Sequence, residues 1–127
     1  MLFRSMLEQD RFIKLLDKIN IEECYIQVCT NGYVLPKVEL TERLLKAKKL
    51  LIVISLDGID TVNDWCRYPS EWSTFSNMID NYDINFSNRE NVYLHFHCCI
   101  GVYNVFYLKE IVDYVLNQRK NFRLEWD

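Results

Sequence analysis

The sequence predicts an α/β protein whose parallel sheet is built from repeated strand–helix units, and three observations carry that prediction. The first is the stretch Leu50 to Ser55, Leu-Leu-Ile-Val-Ile-Ser, an apolar and β-branched run that stops at a polar turn built on Asp57-Gly58. Runs of this kind bounded by turn signals read as buried strands, and their usual home is a parallel sheet covered by helices. The second is strict alternation of strand-like and helix-like segments, uninterrupted by linker, repeat or low-complexity sequence. Such alternation implies parallel strands joined by right-handed crossovers. The third is period-two segregation within the strands. Leu94, Phe96, Cys98 and Ile100 oppose Tyr93, His95, His97 and Cys99; Ile26 and Val28 oppose Tyr25, Gln27 and Cys29. Phe122, Leu124 and Trp126 likewise oppose Arg123, Glu125 and Asp127. One face suits packing under helices and the other suits a cavity, so the expected sheet is curved, with a polar ligand on its concave side. An antiparallel sheet with one wet face is the alternative.

Taken in order, Leu2 to Ile19 reads as a helix, with Asp10 as N-cap and Phe12, Ile13, Leu16 and Ile19 on one face. Strands are expected at about 23–29, 50–55, 91–100 and 122–126. The first ends at Thr30-Asn31-Gly32, a strong turn signal because Asn and Gly tolerate positive φ. Thr41 is placed to cap a helix from Glu42 to Lys49 carrying Leu44, Leu45 and Lys48. Leu50 to Ser55 is followed by a loop. Pro69 and Ser70 then introduce a helix with Trp72, Phe75, Met78, Ile79 and Tyr82 on its apolar side. A last helix, Val105 to Asn117, shows Leu108, Ile111, Val112, Val115 and Leu116 as a stripe.

A chain of 127 residues is long enough for one domain with a real core and short for two. The formal net charge of −3 offers no basic stripe for nucleic acid. No apolar run reaches the roughly 20 residues of a membrane span, and no signal-peptide pattern follows Met1, so the cytoplasm is the expected compartment. The five cysteines, Cys24, Cys29, Cys66, Cys98 and Cys99, are odd in number and irregular in spacing, which argues against a disulfide framework. No Cys-x-x-Cys pair supports a zinc ribbon or a thioredoxin-like site.

Ligands of parallel α/β sheets bind beyond the carboxyl ends of the strands. Ser55, Asp57 and Gly58 stand at such an end, where Asp57 with Gly58 shapes the turn and Gly58 lets backbone approach a ligand closely. His95, His97 and Cys99 share the polar face. Imidazole and thiolate suit zinc or iron, but a fourth ligand is not visible and same-face side chains lie roughly 7 Å apart along a strand. They are therefore read as cavity lining in contact with substrate or cofactor, or as satisfied interior polar groups, and no metal site is assigned.

Thr30-Asn31-Gly32 and Ile54-Ser55-Leu56-Asp57-Gly58, each at a strand's carboxyl end and one unit apart, resemble the radical SAM enzymes. Asn63-Asp64-Trp65-Cys66-Arg67-Tyr68-Pro69, with Trp72 beyond, and Asn104 ahead of the last helix extend the resemblance over nearly the whole chain. It is greatest to members with a short auxiliary domain after the core. The family fold is a partial (βα)6 TIM-like barrel. A loop with cysteines spaced Cys-x-x-x-Cys-x-x-Cys binds a 4Fe-4S cluster, and a glycine-rich motif after the second strand holds the amino group of S-adenosylmethionine. This sequence contains neither. Its strands match the third to sixth of that barrel, and its opening helix the one after the second.

The resemblance implies an enzyme that in full length cleaves S-adenosylmethionine to a 5′-deoxyadenosyl radical, with this chain alone inactive. It implies that Ser55 meets the ribose and that Arg67 reaches the methionine carboxylate, an ion pair with Asp64 or Glu71 being the alternative for Arg67. Asn31 and Gln27 would face the cavity near the cofactor, and Asn31 also suits a plain turn role. The implied partners are the small-molecule cofactor and a missing N-terminal segment or second chain. A non-catalytic α/β binding or interaction module derived from the same fold is the rival.

Overall fold

The computed structural model describes residues 2–3, as backbone, and 8–127. Its elements are β1 (Leu2–Phe3), α1 (Gln9–Leu16), β2 (Tyr25–Thr30), α2 (Val38–Leu44), β3 (Lys49–Ser55), α3 (Thr61–Cys66), α4 (Trp72–Phe86), β4 (Val92–Cys98), α5 (Leu108–Gln118) and β5 (Phe122–Trp126). The strands form one open sheet in the order β1-β2-β3-β4-β5, and every neighbouring pair is parallel. The α/β class and the parallel pairing expected from the alternation are present, and the antiparallel alternative is excluded.

Sequential order has a geometric consequence. When each strand joins its next neighbour by a crossover of one hand, every crossover helix falls on the same side. A single cluster unites Phe12, Leu16, Leu40, Leu44, Phe75, Ile79, Tyr82, Phe86, Ile111 and Tyr114 of the helices with Ile26, Val28, Leu50, Ile52, Ile54, Leu94, Phe96 and Phe122 of the strands. The Phe96 and Phe122 rings stack with centroids 4.4 Å apart, tying β4 to β5 under α5. Tyr82, itself buried, donates its hydroxyl hydrogen to the Val34 carbonyl at 2.6 Å and fastens α4 to the loop after β2. The opposite side of the sheet, from Tyr25 and Gln27 to Arg123 and Glu125, carries no helix among the described residues and is largely exposed; Val53 and His95 are its buried members.

Several boundaries differ from the sequence reading, each for a local reason. The first helix is shorter than Leu2 to Ile19. Residues 2–3 form a strand on β2 through Leu2↔Gln27 and Phe3↔Val28, residues 4–7 of that prediction lie outside the described residues, and α1 begins at Gln9. Asp10 lies inside the first helical turn rather than at the cap, where it pairs with Lys37 at 2.6 Å. The second helix begins at Val38, before Thr41: Lys37 ahead of it is still extended, and Leu40 and Leu44 are the side chains that reach the core. Lys49, expected as the end of that helix, is the first residue of β3. The loop expected after β3 contains the short helix α3. Residues 105–107 form a 3-10 turn ahead of α5, whose buried side carries Tyr114 in place of Leu116, which is 67% exposed.

Candidate functional site

The carboxyl ends of β2, β3 and β4 meet at one edge, and the local sequence fixes their geometry. Thr30 ends β2, and its hydroxyl accepts the Gly32 N–H at 3.2 Å while Asn31 Oδ1 accepts the Tyr33 N–H at 3.1 Å. Gly32 has φ +82° and a Cβ there would lie 2.8 Å from Ile54 and Phe75 side-chain atoms, so both the backbone and the space require glycine. Thr-Asn-Gly is thus a compact turn that closes over the end of β3.

Beyond β3, Asp57 is the hub. Its carboxylate pairs with Arg67 at 2.6 Å and its Oδ1 accepts the Cys99 N–H at 3.1 Å. Asn104, 2% exposed, completes the junction. Its Nδ2 donates to the carbonyls of Asp57 and Cys99, each at 3.0 Å, and its Oδ1 accepts the Gly101 N–H at 2.9 Å. The loops after β3 and β4 are therefore stitched together by side chains rather than by ladder bonds. At Gly58 the close approach is to the first turn of α3, where an added Cβ would come within 2.7 Å of the Asn63 nitrogen.

Two clefts flank this junction. One, of about 730 Å³, lies over the strand ends and is lined by Asn31, Tyr33, Asp57, Cys66, Arg67 and Ser70 among others. Tyr33 Oη and Arg67 Nε are buried here and have no hydrogen-bond partner among the described residues. The second, of about 560 Å³, opens on the uncovered sheet face between Gln27, Cys29, Ser55, His97, Glu125 and Asp127. The residues singled out from sequence accordingly divide. Asn31, Asp57 and Arg67 line the first cleft, Gln27, Ser55 and His97 the second, and Gly58 is packed inside. Arg67 takes neither Asp64 nor Glu71 as its salt-bridge partner but Asp57.

On the uncovered face the two histidines pair diagonally with β5. His97 stands in register with Glu125, and His95 with Arg123. The side chains nevertheless reach one pair further along: His95 Nδ1 lies 2.7 Å from Glu125 Oε1, and His97 Nε2 lies 2.8 Å from Asp127 Oδ2. Periodicity already put Glu125 and Asp127 on this polar face; their pairing with His95 and His97 comes from the register between β4 and β5, which a single strand does not reveal. Cys29 joins the cleft beside Gln27, whose Nε2 lies 3.6 Å from its sulfur.

The thiols differ by burial. Burial pushes Cys98 up to about 11, and it pushes Cys66 up as well, with the Asp57 carboxylate adding to it, so both are held as neutral thiols. Cys99, one residue beyond Cys98, turns to the other side of the sheet and is exposed. Among the described residues no group of three His, Cys, Asp or Glu side chains is arranged to hold a metal ion, and no helix is long and apolar enough to cross a membrane. No protein-family model matches the chain, and no curated protein sequence matches it significantly.

Proposed function

We propose that this chain is the carboxyl-terminal part of a radical SAM enzyme core and that its strand ends hold S-adenosylmethionine. The observation that carries the reading is the order β1-β2-β3-β4-β5, all parallel, with the helices on one side and a polar, uncovered face on the other. That arrangement is what a partial barrel requires of consecutive strands, and β1 supplies the end of a strand ahead of the opening helix, where the resemblance puts the second strand.

The residues present fit the cofactor in two respects. Ser55, half-buried at the end of β3, offers a hydroxyl that both donates and accepts, as a ribose diol requires. Arg67 and Tyr33 line the first cleft, where among the described residues Arg67 Nε and Tyr33 Oη have no hydrogen-bond partner, and a ligand reaching from Ser55 in the second cleft across the Asp57 junction would set its carboxylate there. Asp57 would hold the guanidinium in place while a second anion binds its free edge. When bound, S-adenosylmethionine would supply the carbon fragment from which radical chemistry starts. The reading assigns the iron–sulfur cluster's ligands to a preceding stretch of chain or a second chain, as the resemblance implies.

Equilibrium binding tests this reading. The chain should bind S-adenosylmethionine weakly, with Kd on the order of 1 mM, equivalent to about 4 kcal/mol. Ser55→Ala and Arg67→Gln should weaken it several-fold, and Ile84→Ala, exposed on α4, should not. Absence of binding at ten times that concentration, or equal affinity in all variants, contradicts the assignment.

A second reading, an interaction module without catalysis, rests on a different surface. Trp65 is 64% exposed, Tyr103 62% and Phe106 88%, and the Trp65 and Tyr103 rings meet edge-on with centroids 5.0 Å apart. A concentration-dependent rise in mass, abolished by Phe106→Ser, favours that reading.

A further inference from the structure

Cys99, His97 and Asp127 form a chain of thiol, imidazole and carboxylate on the uncovered face. Cys99 Sγ lies 4.0 Å from His97 Nδ1, and His97 Nε2 lies 2.8 Å from Asp127 Oδ2. A carboxylate only accepts, so the short contact assigns the ring proton to Nε2 and leaves the Nδ1 lone pair facing the thiol. This is the order of roles by which a base, itself oriented by a third group, activates a nucleophile.

The backbone holds all three members. The Cys99 N–H donates to Asp57 Oδ1 at 3.1 Å and its carbonyl accepts from Asn104 Nδ2 at 3.0 Å. Asp127 is held on both sides, its N–H donating to the Cys98 carbonyl at 3.1 Å and its carbonyl accepting the Ile100 N–H at 2.8 Å. His97 is a ladder residue of β4. The charged groups facing the imidazole are few. They are Glu125 of β5, already paired with His95, and Asp127 just beyond that strand; from β3 the neighbour is the neutral Ser55; and Asp57, beyond Cys99, is neutralised by Arg67.

We propose that Cys99 is a nucleophilic thiol, with His97 as its base and Asp127 orienting that base, and that it takes up small-molecule disulfides. The proton on Cys99 Sγ passes to His97 Nδ1 as the sulfur attacks one sulfur of the disulfide. A new S–S bond forms, the old one breaks, and the departing sulfur leaves with the bonding pair and takes the proton back from His97. Cys99 is oxidised to a mixed disulfide and the released fragment is reduced to a thiol, so no further oxidant is needed. The proposal is independent of S-adenosylmethionine binding.

The test is reaction of the reduced chain with oxidised glutathione, followed by site-resolved mass spectrometry of all five cysteines. Cys99 should form the mixed disulfide first. His97→Asn should slow Cys99 roughly 10- to 100-fold near neutral pH, as loss of base assistance requires, without changing the rate at Cys24. Asp127→Asn, at an exposed position that leaves the core untouched, should slow Cys99 several-fold and serves if the His97 variant misfolds. The dependence of the Cys99 rate on imidazole protonation should disappear in His97→Asn. A wild-type rate at Cys99 in both variants, or glutathione appearing at Cys29 ahead of Cys99, overturns the proposal.

Discussion

Asp57 and Arg67, ten positions apart in sequence, meet at 2.6 Å with side chains only 16% and 22% exposed, and they join the end of β3 to the end of α3. Removing one partner leaves the other charge poorly solvated. Because water still reaches the pair, the cost falls below the range for a fully buried bridge. Arg67→Ala is expected to lower unfolding free energy by about 2 kcal/mol, measured by urea denaturation. Arg67→Lys should restore only part, since an ammonium lacks the planar fork.

Asp60 carries backbone strain. It holds φ 50° and ψ −127°, a region suited to glycine, and as the residue ahead of α3 it makes no side-chain capping bond. Replacing it therefore sacrifices no contact of that kind. Asp60→Gly should raise stability by about 1 kcal/mol through relief of strain, read as a higher urea midpoint with an unchanged slope.

Cys98 makes stability depend on alkaline pH. Burial lifts its thiol from 9.0 to about 11 in the folded chain. A raised folded value means that the native state keeps its proton while the unfolded state loses it. The stabilisation is complete below pH 9 and is lost as pH rises toward 11, amounting to on the order of 2 kcal/mol. Tyr82, pushed up to about 12 by burial, continues the same trend at higher pH. Cys98→Ala should be less stable at pH 7 but show a shallower alkaline decline, measured by urea midpoints between pH 7 and 11.

The parts of the fold legible in sequence were those fixed by periodicity over several residues. The β-branched run ending at Ser55 and the two-faced pattern of Tyr93 to Cys99 located β3, β4 and the uncovered face. Leu2–Phe3 was not legible as a strand, since two residues carry no period and only pairing with Gln27 and Val28 defines them. The α2 boundary moved because Leu40 and Leu44, rather than a capping Thr41, set which turn is buried. In the site, Ser55 and Asp57 were visible as residue types at a strand end, and Arg67 as a cation ten residues beyond Asp57. Their division between two clefts, and the diagonal pairing of His95 with Glu125 and His97 with Asp127, depend on register between strands distant in sequence.

The most direct test of the central claim is a map of backbone amide shifts as S-adenosylmethionine is added to the isotopically labelled chain. Saturable shifts should concentrate at Asn31, Ser55, Asp57, Gly58 and Arg67, along the carboxyl ends of β2 and β3, and spare the exposed side of α4 around Ile84. Shifts confined to the helical side, or none at millimolar ligand, would contradict the assignment of this edge as the nucleoside-binding site.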